Sequence, residues 1–159
     1  MRVSSWPAIF GGLFSSIAMS LLTSDAGKRR LLSVEIPILE RYNVERADEF
    51  KIKVIKHADS LLLRYRLKPM HNVYELETLL PPDYPTQAPE TRVVTPLQFC
   101  PHLMQGQYLC MWRQGSVWHA SRWDPAKFTC VFAVQAAWRW LACYEIWHET
   151  GEWPLPEAK

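Results

Sequence analysis

Alternation of apolar and polar residues marks the middle of the chain. From Phe50 to Lys56 apolar side chains alternate with lysines, the pattern of a strand with one face open to water. Ala58-Asp59-Ser60 is a turn, and Leu61 to Leu67 reads as the return strand of a hairpin. Met70 to Asn72 turns the chain again, and Val73 to Leu80 gives a third strand. Pro81, Pro82, Pro85 and Pro89 then interrupt regular structure, because proline fixes its own φ and lacks an N–H donor. Thr91 to Thr95 is a short fourth strand. No periodic element emerges between Thr95 and Lys127. A connection of about thirty residues is long for a compact domain. Its wealth of Trp, Tyr, Leu and Met argues for an ordered, functional loop.

Helical periods frame this block. Leu31, Leu32, Val34, Ile36, Ile38 and Leu39 are apolar, but Pro37 interrupts them, so a short helix ending near Glu35 is expected. Phe128 to His148 reads as one long helix, stopped by Gly151 and the prolines at 154 and 156. It is apolar nearly all round, which predicts burial on more than one side. Trp138, Leu141, Tyr144 and Trp147 recur every three residues, so this helix is expected to cross the sheet, with Trp153 folding back over its end. The order helix, four-stranded antiparallel meander, long loop, helix is an α+β architecture.

Residues 1–27 read as an apolar N-terminal extension, helical from about Leu13 to Leu22. Gly11, Gly12, Ser15, Ser16 and Ser20 interrupt its apolar run, which is short for a membrane span. Two readings stand: a docking or partly disordered arm, or a membrane-associated segment. Only Arg2 charges the start and no small-x-small cleavage site is found after it, unlike a signal peptide. Lys28-Arg29-Arg30 would keep the domain beyond it on the cytoplasmic side of any membrane, and a cytoplasmic location is expected.

The chain has 159 residues, enough for one domain to bury a core without staples. Hydrophobic residues make up 48% and charged residues 21%, ordinary for a globular protein. A net charge of +2 argues against a dedicated nucleic-acid binder. Eight Trp and 12 Pro are unusual, and six of the tryptophans lie from Trp112 to Trp147, marking a core or a binding face. The late tryptophans are expected in the core.

The four cysteines are Cys100, Cys110, Cys130 and Cys143. No pair has Cys-x-x-Cys spacing, and Cys100-x-His102 with Cys110 matches none of the common zinc patterns, so neither metal nor cofactor is expected. Cys110 stands in Tyr108-Leu109-Cys110-Met111, with His102 eight positions upstream and Trp118 eight downstream. Thiolate chemistry needs an exposed sulfur on a rigid support. Cys110 is therefore the candidate nucleophile, against the reading of a small buried apolar residue. Cys100, in the same loop, is its main rival; Cys130 and Cys143 on the apolar helix read as core.

Four fragments in order resemble the ubiquitin-conjugating enzymes. Tyr84-Pro85-Thr86-Gln87-Ala88-Pro89 is similar to that family's Tyr-Pro-x-x-x-Pro segment. Cys100-Pro101-His102 stands where the family has His-Pro-Asn, eight residues before its catalytic cysteine. Leu109-Cys110-Met111 resembles Ile-Cys-Leu, and Trp123-Asp124-Pro125-Ala126 resembles Trp-Ser-Pro-Ala after a longer loop. Tyr144 to Trp153 resembles the Tyr-Glu-x-Trp-x-x-Thr-Gly-x-Trp ending of bacterial conjugating-enzyme-like proteins. Many of those belong to CBASS antiphage operons with a cyclic-nucleotide synthase; others sit in bacterial ubiquitin-like operons.

The resemblance implies a conjugating-type catalytic domain over residues 28–159, with the fold of that family. It implies a protein C-terminus carried as a thioester on Cys110 and passed to an amine. The implied partners are a protein modifier or the C-terminus of a cyclic-nucleotide synthase; adenylation belongs to a partner activating enzyme or is bypassed. The family's Asn stabilises the oxyanion of the attack or holds the loop; His102 inherits both readings, since imidazole also donates a hydrogen bond. His119, in the inserted loop, is either a base for the incoming amine or a solvated side chain. Trp112 is a candidate contact for the carried tail. The C-terminus lacks the terminal glycine of a modifier. Two alternatives differ in class. An inert binding module of the same fold would lack the cysteine. A cysteine hydrolase would need a base oriented by a third group, and no such triad is evident.

Overall fold

Alternation in the middle of the chain becomes an antiparallel meander in the structure, a computed structural model that describes residues 20–112 and 122–155. The strands are β1 (Lys53–His57), β2 (Ser60–Leu67), β3 (Tyr74–Leu80) and β4 (Glu90–Val93). Leu61, Leu63, Tyr65 and Leu67 of β2 point into the core, while Arg64 and Arg66 point away. Across the core face, the Tyr65 hydroxyl meets Thr78 Oγ1 at 2.8 Å, and Thr78 meets Thr91 at 2.7 Å, so three buried hydroxyls satisfy one another. On the outer face Glu77 accepts from Arg64 at 2.8 Å and Arg92 at 2.9 Å. Burial works against the Glu77 charge, yet the two guanidiniums hold its carboxyl below the usual range.

Among the described residues the sheet has six strands, not four. The loop expected to be irregular contributes β5 (Leu103–Met104) and β6 (Tyr108–Leu109), in the order β1-β2-β3-β4-β6-β5. Each is too short for a two-residue period to show in sequence. Gly106 and Gln107 turn the chain between them at φ 75° and 63°.

The N-terminal helix does not end near Glu35. It begins at α1 (Asp25–Arg30), where the Ser24 side chain accepts from the Gly27 N–H at 3.0 Å, passes through a π-helical turn (Leu31–Glu35), and continues as α2 (Ile36–Val44). In the π turn the Ile36 N–H reaches back to the Leu31 carbonyl, five residues away. Pro37 then falls in the first turn of α2, where a missing N–H costs little. Upstream, Ser20 to Ser24 forms a turn rather than the end of a helix; the rest of the expected extension helix lies outside the described residues. Leu21, which the sequence placed in the extension, is fully buried, and its N–H donates to the Pro82 carbonyl at 2.6 Å. Gly27 permits this approach, since a Cβ there would stand 2.7 Å from Leu21 Cα.

The long helix is α3 (Cys130–Thr150), capped by Thr129 and by Gly151 at φ 77°. It lies over β3 and against α2. Val134, Ala137, Leu141 and Tyr144 are buried on one face at alternating spacings of three and four. Trp138 is 44% exposed, contrary to the expectation for the late tryptophans, because a strict three-residue repeat drifts off a 3.6-residue face. Among the described residues no helix is long and apolar enough to cross a membrane.

Candidate active site around Cys110

Cys110 comes directly after β6. Leu109 and Met111 on either side are buried, and the alternation of an extended chain turns the sulfur between them toward the surface. The Cys110 N–H donates to the His102 carbonyl at 3.0 Å, and the Met111 N–H donates to Leu109 at 3.0 Å. The other three cysteines are buried. Cys100 is 2% exposed, and burial pushes its thiol up to about 11. Burial also raises the thiols of Cys130 and Cys143. Cys110 alone of the four is partly open to solvent, the first requirement of a nucleophile.

His102, the partner of Cys110 across the β5–β6 hairpin, has φ 63°. A non-glycine residue costs roughly 1–2 kcal/mol in the left-handed region. Its surroundings hold it there. Its carbonyl accepts from Cys110, and its ring lies 5.1 Å from the Trp153 ring. Trp153 in turn packs on Trp140 of α3 at 5.3 Å, so the tail returns over the helix as expected. The preceding loop is pinned as well. Gln107 accepts from the Leu97 N–H at 2.6 Å and donates to Val93 at 3.1 Å. The Tyr144 hydroxyl accepts from the Gln98 N–H at 3.0 Å.

An aromatic cluster gathers around Trp112, two residues after Cys110. The Tyr84–Pro85 bond is cis, and the Pro85 carbonyl accepts the Trp123 indole N–H at 2.7 Å. Trp123 packs on Tyr84 at 5.8 Å and meets Trp112 edge-on at 5.3 Å. Trp112 stacks on Phe132 and donates its indole N–H to the Pro89 carbonyl at 3.0 Å. Any contact of Trp112 with a partner is therefore left to its ring. The fold thus brings together the Tyr84-Pro85 segment, Trp112 and the Trp123-Asp124-Pro125 segment. His119 lies outside the described residues.

Glu35 escaped the sequence reading, yet it ties the elements around the site together. Its fully buried carboxylate accepts from Arg30 Nε at 2.7 Å, the Tyr84 hydroxyl at 2.7 Å and the Cys130 N–H at 2.9 Å. The last bond places a negative charge at the N-terminus of α3, where the helix dipole favours it. Arg30 also donates to the carbonyls of Phe128 at 2.6 Å and Pro125 at 3.2 Å. Burial and the Glu35 charge push the Tyr84 hydroxyl far above its ordinary value, so it stays a donor. The available signal was one acid inside the apolar run Leu31 to Leu39. Glu145 went unassigned in the same way; buried on α3, it accepts from the N–H groups of His71 and Asn72 at 2.9 and 3.1 Å.

The arrangement is a partly exposed thiol directly after a hairpin that is joined to the sheet through β4. Among the described residues no group of three His, Cys, Asp or Glu side chains could hold a metal ion. No curated protein matches the chain. A profile of the family described as Type II CBASS E2 protein matches residues 41–159, a span that holds the whole sheet, Cys110, His102 and α3. With most of its length covered by that match, the chain belongs to the Type II CBASS E2 family.

Proposed function

We propose that the protein is a conjugating-type acyl carrier with the ubiquitin-conjugating fold, and that Cys110 is its nucleophile. The observation that carries this reading is the exposure of Cys110 against the burial of Cys100, Cys130 and Cys143. In loading, the Cys110 thiolate attacks the activated C-terminal carboxyl of a partner protein. The C–S bond forms and the activating group leaves with its electron pair. In discharge, an amine attacks the thioester carbonyl, the C–N bond forms, and sulfur leaves as the thiolate while the ammonium proton passes to solvent. Membership of the CBASS family supports a partner from the same system, and the C-terminus of a cyclic-nucleotide synthase is the cargo we assign. An activating enzyme supplies the activated carboxyl.

His102 serves discharge in this reading. Its carbonyl fixes the Cys110 backbone, and its imidazole supplies the hydrogen bond that the family's Asn gives to the oxyanion. Trp112 stands as a contact for the carried tail, through its ring.

The test mixes the protein with the synthase and an activating enzyme and resolves the products without reductant. The wild-type chain and Cys100→Ala should each form an adduct that thiol removes. Cys110→Ala should form none, and Cys110→Ser should form one that thiol leaves intact. An adduct retained in Cys110→Ala and lost in Cys100→Ala would overturn the assignment, as would an inert wild-type chain that merely binds the synthase.

A further inference from the structure

The tail after α3 reaches the active-site hairpin. Thr150 ends the helix, and Gly151 at φ 77° reverses the chain with its N–H on the Trp147 carbonyl at 2.7 Å. The Glu152 N–H donates to Thr150 Oγ1 at 3.1 Å, which fixes the turn. Trp153 is thereby held between two rings, Trp140 at 5.3 Å and His102 at 5.1 Å. Trp140 is itself buried and stacks on Tyr144, whose hydroxyl holds the Gln98 N–H. A continuous row of rings therefore runs from the α3 core to His102. At the end of that row, one residue in the left-handed region presents its ring to Trp153 and its carbonyl to the Cys110 N–H.

We infer that Trp153 is a positioning residue for transfer from Cys110: it holds His102 in its strained conformer, and through His102 sets the orientation of the hairpin during discharge. The inference rests on the role proposed above for His102. The indole supplies a broad apolar face on which the imidazole is fixed, and a side chain without a ring leaves His102 free to relax toward ordinary backbone angles. Small displacements at a reacting centre are costly in rate, so the effect falls on transfer rather than on folding.

The test needs no natural cargo. A short glycine-terminated peptide thioester of 2-mercaptoethanesulfonate loads Cys110 by exchange, releasing mercaptoethanesulfonate. Free lysine then discharges it, and intact-mass spectrometry tracks both steps. Loaded to the same extent as wild type, Trp153→Ala should discharge roughly tenfold slower. Trp153→Phe should recover most of that loss. In a His102→Gly background, where glycine accepts the left-handed backbone without strain, Trp153→Ala should slow discharge no further. A slowing equal in both backgrounds overturns the inference, because Trp153 then acts without His102. If His102→Ala is slow while Trp153→Ala is not, the inference fails alone. If His102→Ala discharges normally, the role of His102 and the inference fall together. Should Trp153→Ala fail to melt cooperatively, Trp153→Leu, which keeps apolar bulk on Trp140, carries the same comparison.

Discussion

Four thiols of one kind behave differently because their surroundings differ. Cys100, Cys130 and Cys143 sit in apolar surroundings that disfavour the thiolate, whereas Cys110 is brought toward solvent between two buried neighbours. This predicts the order of alkylation. At neutral pH iodoacetamide should label the native chain at Cys110 alone. Cys100 should stay unlabelled until the pH approaches about 11, where its thiolate becomes populated, or until the chain unfolds. Peptide mapping of the labelled sites checks this, and rapid labelling of native Cys100 at neutral pH would contradict the burial argument. The sequence singled out Cys110 by its framing motifs. It could not rank Cys110 above Cys100 by exposure, because the burial of Cys100 depends on strands and a helix that are distant in sequence.

At the scale of elements, the long periodic pieces were legible and the short or composite ones were not. β2, β3 and α3 follow from their apolar patterning, whereas β1, expected to bury one face, is open to solvent on both. β5 and β6 are two-residue strands, defined by partners on β4 and on each other rather than by their own pattern. Pro37 reads as a stop because a proline breaks an α-helix, but the π turn ahead of it places that proline in a new first turn. The same turn carries Glu35, which joins α1, Tyr84 and the start of α3. Glu35→Ala leaves the Tyr84 hydroxyl and the Cys130 N–H buried without their acceptor and the partly exposed Arg30 without its counter-ion, so it should cost about 2–5 kcal/mol. Urea denaturation measures that cost. Glu35→Ala within about 0.5 kcal/mol of wild type, the usual range for surface positions, would show that the carboxylate is not a structural tie.

At the scale of the whole molecule, both ends of the described chain are tied to segments that flank Cys110. The N-terminal helix secures the Tyr84 segment and the start of α3 through Glu35, and the tail beyond α3 secures His102 through Trp153. The hairpin between them presents the single partly exposed cysteine. Membership of the Type II CBASS E2 family gives that thiol a setting, and the proposed chemistry has it hold a partner's C-terminus as a thioester. The most direct measurement captures that species. The protein is incubated with the synthase and an activating enzyme, quenched in acid without thiol, digested and sequenced by tandem mass spectrometry. The account predicts a peptide containing Cys110 joined through sulfur to the C-terminal residue of the synthase, and its disappearance after treatment with a thiol. A sulfur-linked adduct on Cys100, or a reaction in which the synthase is modified while Cys110 is never acylated, would contradict it.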